Sequence, residues 1–183
     1  VYSVTPLVDT DLASVSRWVG VDSDSKHVKV LVTGHELYQN GYTLYGGDVI
    51  DWLPAEDGQV LMVRQYVPEY SQSLQTSSKD GIAVDRVNTR SGRADTIETP
   101  LHGIRGYIAD GQGRVRIKGE AVIAGSGYDE GRTNWFYRKK GSDKWEPLGT
   151  TEDDEDNGFF PLGVDPSEDV VYGLKKLDGR LAA

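Results

Sequence analysis

The stretches "DWLPAEDGQVLM" (51–62), "GYIADGQGRVRI" (106–117) and "PLGVDPSEDVVY" (161–172) decide the fold once they are set in register. Val60, Val115 and Val170 then coincide, each 55 residues beyond the last. The match extends past the valine: Trp52 meets Tyr107 and Leu162, Leu53 meets Ile108, Ala55 meets Asp110 and Asp165, and Met62 meets Ile117 and Tyr172. Each copy reads as an apolar strand, a turn of Asp, Gly, Pro, Glu and Ser, and a second strand. Taken alone, the first copy raises a chemical question, because Asp51, Glu56 and Asp57 have the look of working carboxylates in a hydrolase cleft. The register answers it. Asp51 becomes Gly106 and Pro161, and Glu56 becomes Gly111 and Pro166, while the turn and the valine persist. A turn needs turn-forming residues and a catalytic pair needs particular ones, so the stretch is a bend between strands.

Working outward, short alternating runs rich in Val, Ile, Tyr and Trp alternate with Gly, Asp, Asn and Ser turns, and helical spacing is almost absent. Three further hairpins follow from this pattern. Residues 17–34 bend at Asp24, Ser25 and Lys26, residues 81–100 at Arg90, Ser91 and Gly92, and residues 134–150 at Gly141 and Ser142. Four strands in a unit of roughly 50 residues is the signature of a β-propeller blade. A β-sandwich, whose strands recur about every 8 to 12 residues without a long period, is the competing architecture and fits less well. The expected fold is therefore all-β, with about three four-stranded antiparallel blades of a partial, open propeller. Its units are 1–48 (the outer strands of one blade and a connection), 49–103, 104–158, and 159–183 as the start of another blade.

Composition bounds the function. With 183 residues, 37% apolar and 27% charged, the chain suits one globular domain or part of one. A net charge of −9 argues against a nucleic-acid partner, which needs a surplus of Lys and Arg on one face. No apolar run approaches the roughly 18 residues of a membrane span, and "VYSVTPLVDTDL" lacks the basic start and apolar core of a signal peptide. No membrane partner is expected. The absence of Cys excludes a disulfide framework, a thiol nucleophile and a thiolate metal site. It leaves the compartment open between a bacterial periplasm and a cytoplasm.

The motifs place catalysis elsewhere. "AGSGYDEG" (124–131) misses the G-x-S-x-G nucleophile elbow, because Ala124 and Tyr128 flank Ser126 where glycines belong; it reads as a Gly-rich loop. His27, His35 and His102 show no metal or catalytic spacing and read as exposed loop residues. The contiguous carboxylates of Glu152 to Asp156 splay apart, unlike the alternating ligands of a calcium loop, and read as a solvated connection. "DSDS" (22–25) offers alternating oxygens at a place where the repeat calls for a hairpin turn. No metal and no cofactor is expected. Trp18, Trp52, Trp135 and Trp145 read mainly as packing residues between blades.

The segments "VIDWLPAEDGQVLMVRQYVPE", "GIAVDRVNTRSG", "YIADGQGRVRI", "GRTNWFYRKKGSDKWEPLG" and "PLGVDPSEDVVYGLKKLDGRLA" together resemble the N-terminal propeller of bacterial serine peptidases of the prolyl oligopeptidase family, near its dipeptidyl-peptidase and acylaminoacyl-peptidase branches. The resemblance covers roughly residues 15 to 183. It implies a non-catalytic propeller segment that gates peptide access to an α/β-hydrolase domain, which carries the Ser, Asp and His of the triad and lies C-terminal to the propeller. The implied partners are that hydrolase domain and the peptide substrate, and the family tilts the compartment towards the periplasm. The polar stretch "RQYVPEYSQSLQTSSKDG" (64–81) is longer than a four-stranded meander needs, and the second copy has its own insertion at "EAVIAGSGYDEGRT". Arg64, Tyr66, Glu69 and Tyr70 are the expected substrate or domain contacts. An independent binding or scaffold module is the alternative reading, with a glycosidase-like propeller enzyme behind it. Three repeats do not close a propeller ring, and the open blade faces lead us to expect self-association of the chain.

Overall fold

A computed structural model describes residues 2–4, 7–8, 11–12, 15–24, 26–31, 47–71, 74–152, 158–177 and 180–182. Among these residues there are strands and turns but no helix, so none is long and apolar enough to cross a membrane. Every strand pairing is antiparallel. The chain forms two compact units, Val1–His102 and Gly103–Ala183.

In the first unit, β1 (Tyr2–Val4) pairs with β4 (Val15–Arg17) around the small pair β2 (Leu7–Val8) and β3 (Asp11–Leu12). A hairpin follows, made of β5 (Val19–Val21) and β6 (Val28–Val30). The main sheet is a meander of β7 (Asp48–Asp51), β8 (Gln59–Tyr66), β11 (Gly81–Asn88) and β12 (Ala94–Leu101). Within the β8–β11 connection lies a separate pair, β9 (Glu69–Ser71) and β10 (Leu74–Ser77). The stretch 64–81 is thus strand end, hairpin and return rather than one polar loop.

The centre of β8 has no apolar/polar alternation because Val60, Leu61, Met62 and Val63 are all buried, as in a strand covered on both faces. On one face the register sets Val60 opposite Val87 and Met62 opposite both Val49 and Asp85. Leu31, just past the β6 strand, packs on this face, together with Trp18, Val49 and Ala94. Trp18 is fixed at both ends: its carbonyl accepts from Leu31 N at 2.9 Å, and its indole Nε1 donates to Gly47 O at 2.7 Å. Full burial of a side chain such as Met62 stabilises by about 1.5–3 kcal/mol.

The turn of the first copy is built as its residues suggest. Asp51 is buried and its Oδ1 accepts from Leu53 N at 3.0 Å, while Leu53 takes a positive φ of 46°. Glu56 receives Arg86 Nη1 at 2.9 Å and Asp57 receives Arg90 Nη2 at 2.9 Å. The three carboxylates therefore brace a bend and do not converge on one point. Trp52 departs from the expected packing role: it is 65% exposed and touches Trp18 edge-on, with ring centroids 6.0 Å apart.

The second unit contains a meander of β13 (Ile104–Ala109), β14 (Val115–Ile123), β15 (Asp129–Tyr137) and β16 (Glu146–Glu152), then a three-stranded sheet of β17 (Phe159–Asp165), β18 (Val170–Leu177) and β19 (Arg180–Ala182). The insertion expected around "AGSGYDEG" is a lengthened hairpin: Ala124 N donates to Tyr128 O and Gly127 N to Ala124 O, each at 2.8 Å, and strands run straight into and out of it. The Trp135 ring lies on Gly119, where an added Cβ would meet its Cζ3 at 2.7 Å. The turns at Asp110 and Asp165 share a device. Asp110 Oδ1 accepts from Gln112 N and Arg114 N, and Asp165 Oδ1 accepts from the Ser167 hydroxyl and from the Ser167 and Glu168 backbone N–H groups. The Ser167 hydroxyl, followed by those backbone donors, holds the Asp165 carboxyl below its ordinary pKa.

Candidate functional site

Two of the four expected contact residues come together. Arg64 and Tyr66 sit two apart at the end of β8, hence on the same face as Met62. The residues opposite them on β11 are Ala83 and Gly81, which leave room for the longer side chains to lean towards Asp85. Asp85 is fully buried, and its Oδ2 accepts two hydrogen bonds, from Tyr66 OH at 2.7 Å and from Arg64 Nη1 at 3.1 Å. Its Oδ1 has no hydrogen-bond partner among the described residues. Thr96, which faces Asp85 from β12, completes a chain of side chains across three strands by hydrogen-bonding the Tyr66 hydroxyl.

The electrostatics follow from burial. Desolvation, then the hydrogen bond and charge of Asp85, push the Tyr66 hydroxyl up to about 12, with Arg64 and Thr96 opposing the shift. The tyrosine therefore stays a neutral donor at ordinary pH. On the return side of the 67–80 segment, Lys79 Nζ lies 5.3 Å from the Tyr66 ring centroid, and the Arg64 guanidinium lies 5.7 Å from it. Next to Lys79, Asp80 Oδ2 pairs with His102 Nε2 at 2.6 Å. Glu69 and Tyr70 belong to β9 by their backbone, and their side chains lie outside the described residues.

A second polar locus lies at the opposite ends of these strands. The β5–β6 turn, the Asp57–Gly58 bend and the Thr89–Arg90 bend enclose an open cleft of about 750 Å³. Around it Asp22 pairs with His27 Nδ1 at 3.1 Å, Asp24 with Lys26 at 3.2 Å, and Asp57 with Arg90 at 2.9 Å. Asp22, Asp24 and His27 place one ligand atom each within 4.8 Å of one another, so they are the described residues able to approach a divalent cation together. All three are exposed, and two of the surrounding ion pairs already satisfy them. Contacts of this kind between exposed groups stabilise by about 0–1 kcal/mol. The turn expected from "DSDS" is present, with Asp22 N donating to His27 O at 3.1 Å; Ser25 lies outside the described residues.

In the second unit the polar centre is Arg116, one of the largest fully buried side chains. Its Nε donates to Arg138 O at 2.6 Å, its Nη1 lies 3.5 Å from Asp110 Oδ2, and its Nη2 binds Asp169 Oδ1. Asp169 takes a positive φ of 60° and also accepts from Lys140 N. Arg138 reciprocates by capping Val115 O at 2.8 Å and lies 4.1 Å from the Trp145 ring centroid. This network joins β14 and β15 to the β17–β18 turn, and it is structural in character. Of the acid run, Glu152 is described and residues 153–156 lie outside the described residues, as does His35.

Asp85 and Arg116 escaped the motif search. Each carries a readable signal, a charge one residue from buried apolar positions of the same strand: "AVD" for Asp85 and "VRI" for Arg116. No family model, no curated protein and no solved structure matches this chain.

Proposed function

We propose that the chain is the non-catalytic β-propeller segment of a serine peptidase resembling prolyl oligopeptidases, where it gates peptide access to a hydrolase domain. One observation carries this reading. Consecutive antiparallel sheets recur along the chain in simple meander order, β7-β8-β11-β12, then β13-β14-β15-β16, then β17-β18-β19, at the 55-residue period of the sequence. The motifs quoted above supply the peptidase part of the reading. The propeller units 49–103, 104–158 and 159–183 would then coincide with these three sheets, and the β5–β6 hairpin would be the outer pair of a preceding blade. Arg64 and Tyr66 are the contacts we assign to the face that meets the hydrolase domain or the peptide.

The reading frame that encodes the chain provides the test. It is expected to run beyond residue 183 into a G-x-S-x-G segment followed by an Asp and a His. A frame that stops instead would replace the peptidase by a stand-alone binding module. A fluorophosphonate probe tests the chain itself, since covalent labelling of the 183 residues would overturn its assignment as non-catalytic.

A further inference from the structure

The root of the β9–β10 hairpin is braced by a group of polar side chains. The segment leaves the main sheet at Tyr66 and rejoins it at Gly81, which face each other in the β8–β11 register. Tyr66 carries Lys79 above its ring and donates a 2.7 Å hydrogen bond from its hydroxyl to Asp85, and Arg64 closes the group on the same carboxylate oxygen. The Asp85 side chain is fully buried, whereas that of Arg64 keeps 15% of its surface in solvent.

A buried carboxylate with one oxygen unpartnered is expensive. Such a group lowers stability relative to an apolar residue unless something else is gained from its charge. Here the strand context makes the cost plain. Asp85 stands on β11 between Val84 and Arg86, faces Met62 across the register, and shares its face with Val87 in an apolar cluster. What the carboxylate does in return is hold two long side chains whose cross-strand neighbours on β11 are the small residues Ala83 and Gly81.

We propose that Asp85 is a positioning residue: its carboxylate holds Arg64 and Tyr66, and through them the exit and return of the 67–80 segment. This rests on the assignment of Arg64 and Tyr66 to the contact face, and it adds how that face is kept in shape. The guanidinium and the ring would meet a peptide or a domain already ordered, so the cost of ordering them is met in folding and not at binding.

The test needs only the 183-residue chain, so it can fail independently of the peptidase reading. Asp85→Asn is expected to raise tryptic cleavage after Lys79 about tenfold, while cleavage after Lys140 in the other unit stays within about twofold, because proteolysis follows the local open population. The double variant Arg64→Gln/Asp85→Asn also lacks the hold and is expected to stay as open after Lys79 as the single variant; recovery of protection in the double variant would mean that an unpaired charge caused the opening, and would overturn the proposal. In ¹³C-labelled protein, the Tyr66 ring carbon in Asp85→Asn should titrate closer to the ordinary tyrosine range. Equal increases after Lys79 and Lys140 would mean a general loss of stability and would overturn the proposal. Unchanged cleavage with an unchanged Tyr66 titration would overturn it as well.

Discussion

The second and third copies of the repeat carry the same strand and bury it differently. Val115 and Ile117 on β14 are fully buried, and so are their counterparts Val60 and Met62 on β8, at 4% and 0% exposure. On β18 the matching residues Val170 and Tyr172 are 39% and 56% exposed. All three strands are antiparallel and pair with the strand before them. The period therefore specifies the strand and its turn, and burial is conferred by whatever lies over the strand. A further difference separates the copies. Arg116 stands where the first copy has Leu61 and the third has Val171, so the second copy alone places a guanidinium at a position that is apolar in the others.

The largest expected effect comes from breaking that exception. Arg116→Ala removes the buried guanidinium that pairs with the Asp110 and Asp169 carboxylates and donates to the Arg138 carbonyl, and should cost about 3–5 kcal/mol of unfolding free energy in urea denaturation. The buried copies come next: Met62→Ala and Ile117→Ala should each cost about 2–5 kcal/mol, the spread reflecting how far the site collapses. Tyr66→Phe should cost about 1–2 kcal/mol by leaving the Asp85 carboxylate with one donor fewer. It should also remove a pH dependence. Because the folded pKa of Tyr66 lies near 12, above the ordinary 10, its contribution is complete below pH 10 and is lost as pH rises through about 12. Urea midpoints measured from pH 9 upward should fall more steeply for the native chain than for the variant. The smallest effect belongs to the open copy, where Tyr172→Ser should change stability by less than about 0.5 kcal/mol. A cost there as large as that of Ile117→Ala would erase the contrast between the copies.

Much of the backbone was legible from residues alone. The strands on either side of Asp51–Gly58, Asn88–Arg93 and Lys139–Lys144 are announced by β-branched and aromatic runs that end at turn formers, and those signals act over a few residues. The Arg90–Gly92 bend shows why: the Asn88 side chain accepts from Arg90 N and Ser91 N, and Gly92 supplies a φ of 77°. The partnership of Arg64 and Tyr66 with Asp85 was out of reach, because it depends on the cross-strand register of two strands that the β9–β10 hairpin separates in the chain. Proximity in the sheet, not spacing in the chain, makes that contact. Trp52 was misread for a related reason. Its apolar character and strand position suggest packing, and whether an indole at the mouth of a turn is covered depends on its neighbours.

The Asp110 and Asp165 turns carry a consequence for how the chain folds. Each carboxylate closes on donors two to four residues away, and each meander joins strands that are consecutive in sequence apart from the β9–β10 hairpin. Loop closure over so few residues sacrifices little entropy, and low contact order favours rapid assembly of each sheet from its own stretch of chain. For a repeat protein, such local assembly lets a new copy be added without redesigning the ones already present.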